Sequence, residues 1–227
     1  MSDLKLVIFD CDGTLIDSQH FVVEAMSMAF RANGIEMLSR EQVLSGVGLS
    51  LPLAIERLLP NEPRKAIEAV SDGYREAARA LRAAPVSHEP LYDGIGDVVD
   101  TLARRDDIVL GIATGKSIRG VDRLLAHMNW EGRFVTIQTA DTNASKPHPE
   151  MIETAMREAA IGRENTVMIG DTTFDMRMAR NAGVAALGVS WGYHPVAELH
   201  KQGAHDVAQT AAELIPIADR LLRRTAD

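Results

Sequence analysis

The sequence predicts an α/β fold, a parallel sheet with helices on both faces, interrupted by one all-helical insert. Three observations predict it. Short β-branched apolar runs alternate with amphipathic helical segments over most of the chain. That alternation stops between residues 18 and 88, where no strand signal occurs. The chain has 227 residues, 46% hydrophobic and 25% charged, enough for a sizeable core that carries such an insertion.

In chain order, residues 4–9 read as a buried strand that Asp10-Cys11-Asp12-Gly13 stops. Comparable runs at 108–113, 134–137, 166–169 and 184–189 predict further strands. Between them, 98–103 is amphipathic, and 118–128 places Leu124, Leu125 and Met128 on one helical face. A helix over 150–160 starts after Pro147 and Pro149 and stops at Gly162; another over 174–182 stops at Gly183. Residues 211–227 read as a closing helix with a frayed end.

Within the insert, Phe21, Ala25, Met28, Ala29 and Ala32 mark a helical face that Asn33-Gly34 ends. Ser39 and Gln42 have capping-box spacing. Ser50 precedes Leu51-Pro52 and an apolar-periodic run to Leu59. Asn61, with Pro63 just inside, opens a long Ala-, Arg- and Glu-rich helix that Pro85 must end. The predicted organisation is an α/β core over 1–17 and 89–227 with a helical unit over 18–88. Charge separates the two: eight Lys/Arg balance eight Asp/Glu in the insert, so the whole −8 of the chain sits on the core.

The acidic balance argues against a broad nucleic-acid footprint or an anionic membrane surface, while leaving room for a local anion site. The single cysteine, Cys11, forms no internal disulfide and is expected to pack into the sheet. The first apolar run is too short for a secretion signal and ends in acids, and no stretch approaches bilayer length. A soluble cytoplasmic protein is expected.

Four clusters sit just after strands, where the ligand crevice of a parallel sheet lies. In Asp10-Cys11-Asp12-Gly13-Thr14, two carboxylates two residues apart can face one crevice. Phosphoryl transfer would use Asp10 as nucleophile and Asp12 as general acid, then base; alone, such acids could equally cap a turn. Thr114-Gly115-Lys116 opens a helix, so a hydroxyl and free backbone N–H groups make a small anion seat, or an ordinary N-cap. Lys146, followed by Pro147, is held in an extended loop and can neutralise the carboxylates. In Gly170-Asp171-Thr172-Thr173-Phe174-Asp175, the two acids lie one helical turn apart and offer the hard oxygen ligands that Mg²⁺ prefers.

The clusters belong together for a charge reason. A phosphate dianion and a carboxylate nucleophile repel by several kcal/mol at close range in reduced dielectric. Asp10, Asp171 and Asp175 give −3, with Asp12 taken as protonated; Lys146 and one Mg²⁺ give +3. A near-neutral site of that kind admits a dianion held by Thr114 and backbone N–H groups.

The ordered set Asp-x-Asp-Gly-Thr, Thr-Gly-Lys, Lys-Pro and Gly-Asp-Thr-x-x-Asp resembles the haloacid dehalogenase superfamily, and the insert is similar to the small helical cap of one of its subgroups. The resemblance covers essentially the whole chain. It implies a Rossmann-like core, a phosphorylated Asp10, and Asp12 as acid/base. It implies Mg²⁺ on the carboxylates of Asp10 and Asp171 and the main-chain carbonyl of Asp12, with Asp175 supporting the metal shell. Thr114, Gly115 and Lys146 would hold phosphate, and the cap would exclude water.

Asp12 narrows the reaction, since dehalogenases of the superfamily lack an acid at the matching position. The chain is most similar to phosphoglycolate phosphatase-like proteins, loosely supported by Asp17-Ser18 and Gly46-Val47-Gly48-Leu49. β-Phosphoglucomutase-like members place a cap histidine five residues after the acid matching Asp17; here that position is Val22, and His20 lies elsewhere. The expected activity is hydrolysis of a small phosphorylated metabolite, with a sugar phosphomutase as the other enzymatic possibility. A receiver-type phosphoacceptor module is shorter and orders its residues differently, and a phosphate-binding protein on a hydrolase scaffold would not need every catalytic residue type. His148 is expected to face solvent. Met26, Met28, Met151, Met156, Met176 and Met178 are expected to fill the core, as are Trp130 and Trp191. Residues 46–53, His20, Arg57 and Arg75 are candidates to meet the leaving group.

Overall fold

A computed structural model of the protein describes residues 4–83 and 89–224. Its centre is β1 (Lys5–Phe9), flanked by β2 (Ile108–Thr114) and β4 (Thr166–Gly170). With β3 (Phe134–Thr139), β5 (Ala185–Val189) and β6 (Asp206–Ala208), these form one parallel sheet in the order β3-β2-β1-β4-β5-β6. The chain steps outward from β1 to β3 and returns on its other side with β4. The carboxyl ends of β1, β2 and β4 therefore face a common crevice.

The strand pleat assigns β1's side chains to two cores. Val7 and Phe9 pack with α5 (Ile95–Ala103), α6 (Ile118–Met128) and α10 (Leu214–Arg224) through Val99, Val121 and Leu221. Leu6 and Ile8 pack with α7 (Glu150–Ala159) and α8 (Thr173–Ala182) through Met151, Ile152 and Met176. A strand buried on both faces has no need for polar alternation, which is why β1 is a nearly continuous apolar run.

The insert between β1 and β2 holds α1 (Gln19–Ala32), α2 (Arg40–Leu44), α3 (Leu51–Leu58) and α4 (Arg64–Ala83). Gly34, with φ +67°, lets the chain leave α1 after its C-cap Asn33. The Ser39–Gln42 capping box forms. These helices bury a cluster of their own around Phe30, Val43, Ile55, Ile67 and Val70. The expected stop at Pro85 and the boundary at 88 lie outside the described residues.

Three differences from the sequence reading have plain causes. β6 and α9 (Val196–Lys201) have three and six residues, too few to show a periodicity. The closing segment begins as a 3₁₀ turn, Ala211–Glu213, before α10, and residues 225–227 lie outside the described part. Met28 is exposed rather than core, at the edge of the α1 face. Met26, Met151, Met176 and Met178 are buried, Met156 is partly buried against the core, and Trp130 packs on Phe134. No helix among the described residues is long and apolar enough to cross a membrane.

Phe30 is fully buried in the insert's cluster. Phe30→Ala is expected to lower the unfolding free energy by about 3–5 kcal/mol, read from urea denaturation.

Candidate active site

The crevice floor begins where β1 ends. Asp10 N donates to Ile169 O at 2.9 Å, extending the ladder one residue and burying the side chain. Asp10 Oδ1 accepts from Cys11 N at 2.7 Å. The chain then turns tightly, with Leu15 N donating to Cys11 O and Gly13 N to Ile16 O, both at 2.9 Å. Gly13 has φ +84°, and a Cβ there would intrude on the Asp171 carboxylate. Trp191 Nε1 donates to Thr14 O at 3.2 Å and pins this loop. Cys11 is buried in the core, and burial pushes its thiol up, away from reactivity.

Asp171 follows β4 and is buried; Thr14 Oγ1 and Tyr193 N each donate to it at 2.9 Å. Asp175 closes the capping box of α8, its Oδ2 accepting from Thr172 N at 3.0 Å and Thr172 Oγ1 at 2.6 Å. Its Oδ1 accepts from Lys146 Nζ at 2.6 Å. Lys146 Nζ also lies 2.8 Å from Asp10 Oδ2. No other side chain or backbone group among the described residues meets Asp10 Oδ2.

Two buried carboxylates, Asp10 and Asp175, thus share one lysine, with Asp171 beside them. Burial pushes Asp10 up to about 6 against the pull of Lys146, with Asp175 adding to the rise. Asp171 is raised well above the usual carboxylate range by burial, Asp175 and Asp10. Lys146 is driven up, because the two carboxylates outweigh the cost of burying it. Ligand oxygens of Asp10, Asp171 and Asp175 lie within 4.8 Å of one another. All-oxygen donors, an excess of negative charge and an unused lone pair on Asp10 fit a hard divalent cation.

Asp12 and Lys116 form a second ionic unit. Lys116 Nζ donates to Asp12 Oδ1 and Glu89 Oε1, both at 2.9 Å. Burial would raise Asp12, but Lys116 outweighs it and holds the carboxyl below its usual range. Asp12 is thus ionised here, unlike the protonated form assumed from sequence, and Lys116 restores the charge balance. Lys116 belongs to the Thr-Gly-Lys triplet, so its residue type was in view; its carboxylate partner was not. Glu89, Tyr193 and Trp191 carry no motif at all.

Thr114 ends β2, buried, and its Oγ1 accepts from Lys116 N at 3.2 Å. Gly115 meets the insert: a Cβ there would lie 2.5 Å from Leu49 O and 2.8 Å from Gly48 O. Ser50 N adds a 2.8 Å bond to Ser145 Oγ, so the loop 46–50 is laid across the crevice. A cavity of about 650 Å³ remains beneath it. Asp10, Asp12, Thr114 and Gly115 line one side; residues 46–52, Val22 and Arg75 line the other. His20 and His148 are exposed. Arg57 stacks over Phe174, 5.5 Å from its ring centre, and does not line the cavity.

Comparison with known proteins places these features in a family context. The profile of the haloacid dehalogenase-like hydrolases matches residues 7–189. The probable phosphatase IndB of Dickeya dadantii is 32% identical, covering 96% of this chain and 95% of that protein. A phosphoglycolate phosphatase of Vibrio parahaemolyticus is 28% identical over 95% of this chain and 96% of its own. The pyrophosphatase PpaX of Anoxybacillus flavithermus is 30% identical over 83% and 85%. The crystal structure of a hydrolase from Pseudomonas syringae superposes with a TM-score of 0.83 at 25% identity, covering 96% of this chain and 99% of that one.

The buried carboxylates give a signed pH prediction for metal-free protein. Unfolded carboxyls titrate near 4, whereas Asp10 folded titrates at about 6 and Asp171 is also raised. Between those values the native state binds more protons, so this contribution to stability is lost as pH rises. Chelated protein is expected to lose on the order of 2 kcal/mol from these groups between pH 4.5 and 7.5. Asp171→Asn should flatten that slope, and a divalent cation should remove it. Urea unfolding across pH measures all three; identical slopes in wild type and Asp171→Asn would refute the assignment.

Proposed function

Because the chain belongs to the haloacid dehalogenase-like hydrolases, as a phosphatase with a helical insertion, we propose that it is a Mg²⁺-dependent hydrolase of small phosphomonoesters working through a phosphoaspartate on Asp10. The observation that carries this is the pairing at the end of β1: Asp10 buried against Lys146, with Asp12 on the same cavity two residues on.

In the first step an Asp10 carboxylate oxygen attacks phosphorus, the ester P–O bond breaks, and Asp12 gives its proton to the leaving oxygen. In the second, Asp12 takes a proton from water, and the hydroxide displaces Asp10 to release inorganic phosphate. Lys116 holds Asp12 in the ionised form the second step needs. A dianionic phosphate entering the cavity competes for that ammonium and raises the proton affinity of Asp12, which favours the first step. Thr114, Gly115 N–H and Lys146 hold the phosphate oxygens. The carboxylates of Asp10 and Asp171 and the main-chain carbonyl of Asp12 would hold Mg²⁺, which would supply charge neutralisation, and Asp175 would support that shell by fixing Lys146.

In this scheme residues 1–17 and 89–227 form the catalytic core and 18–88 the cap, which shields the acyl phosphate from bulk water. A soluble cytoplasmic setting suits a small metabolite substrate, phosphoglycolate- or sugar-phosphate-like. The relatives support phosphatase chemistry while their names span different substrates. Val22 at the cavity, where mutase-like members carry histidine, favours hydrolysis over phosphomutation.

A phosphate-release screen over small phosphomonoesters is expected to show Mg²⁺-dependent turnover, lowered at least a thousandfold in Asp10→Asn. Release should keep step with substrate loss. Isomerised sugar phosphate without release would establish the mutase, and Mg²⁺-dependent binding without turnover a binding protein.

A further inference from the structure

We propose that the arginine-lined part of the cavity is an anion subsite for the leaving group, so that the substrate carries a second anionic group, a carboxylate or a phosphate, beyond the scissile phosphate. This rests on the phosphatase function proposed above and narrows its substrate class.

Two helices from different parts of the molecule supply the subsite. On α4 of the insert, Arg75, Arg79 and Arg82 recur at helical spacing along one face. On α6 of the core, Arg119 and Arg123 do the same. All five line the cavity that holds Asp10 and Asp12. Like charges at this spacing repel, and the repulsion is felt: burial and then Arg82 and Arg119 lower the proton affinity of Arg123, outweighing Glu89 and Asp122, which raise it. This cluster stands out in a chain whose net charge is −8.

Protein carboxylates do not use it up. Arg75 pairs with Asp72 at 2.7 Å, and Arg82 with Glu89 at 3.6 Å while lying over the Phe21 ring. Arg79, Arg119 and Arg123 form no ion pair among the described residues. The acids of the cavity are taken: Asp10 by Lys146, Asp12 by Lys116, and Asp141 by Ile118 N at 2.8 Å. A ligand anion can therefore still pair with Arg79, Arg119 and Arg123, and guanidinium binds carboxylate and phosphate in paired hydrogen bonds.

Size and polarity add to this. A volume of about 650 Å³ leaves room for a leaving group beyond the scissile phosphate. Val22, Met26, Val43 and Leu51 form an apolar wall of the same cavity. The leaving group is therefore a carbon frame that carries an anionic group facing these arginines.

The test compares three esters: p-nitrophenyl phosphate, with no anion in its leaving group; phosphoglycolate, with a carboxylate; and fructose 1,6-bisphosphate, with a second phosphate. Each is assayed for kcat/KM with wild type and with the double variant Arg119→Gln, Arg123→Gln, whose fold is checked by circular dichroism. An anionic ester should be preferred and should lose about tenfold or more in the variant, while p-nitrophenyl phosphate changes less than threefold. Whichever anionic ester loses more identifies carboxylate or phosphate as the recognised group. A wild-type preference for p-nitrophenyl phosphate, or equal losses on all three, overturns the subsite. Absence of phosphate release from every ester refutes the phosphatase function instead. Calorimetric binding of the same two anionic esters then decides the subsite: binding lost in the variant supports it, and no binding overturns it. Arginine-dependent binding of a single-stranded oligonucleotide, with neither ester bound, also overturns it in favour of nucleic acid.

Discussion

One ammonium group between two buried carboxylates organises the crevice. Lys146 is nearly inaccessible to solvent, yet touches both Asp10 and Asp175. Burying either charge type alone is costly, and breaking a buried pair costs about 3–5 kcal/mol. The loop carrying Lys146, the end of β1 and the first turn of α8 are therefore tied to one point. Asp171 is pressed against the same point by Thr14 and Tyr193. Local negative charge still exceeds what one lysine offsets, so the site is built short of a cation.

The sheet makes that concentration possible. Reversal of strand order around β1 brings the ends of β1, β2 and β4 side by side. Residues distant in sequence, Asp10, Thr114 and Asp171, need no long side chains to meet. Glycines complete the approach: Gly13 and Gly192 face the Asp171 carboxylate, and a side chain at either would displace it.

Much of this was legible because it is written in short range. β1, β2, β4 and α6 showed themselves by apolar runs and periodicity, and Asp10, Asp12, Thr114, Gly115, Lys146, Asp171 and Asp175 by motifs at strand ends. What escaped depends on contacts between distant segments. β6 exists because β5 offers it an edge, not because three residues prefer to extend. The protonation of Asp12 turns on Lys116, about a hundred residues away, and Glu89 enters through that lysine and Arg82. The arginine faces of α4 and α6 each look like ordinary solvated helix surface; only folding shows that they oppose one another.

At one point the seam between insert and body is backbone against backbone, with the carbonyls of Gly48 and Leu49 lying on Gly115. Peptide groups do not change when side chains do. Val47, Leu49 and Leu51 can consequently drift in size or polarity without loosening that junction. Side-chain variation in the loop and the fit of insert to body are thereby inherited separately, an arrangement that lets one scaffold vary its cavity wall while keeping the same junction.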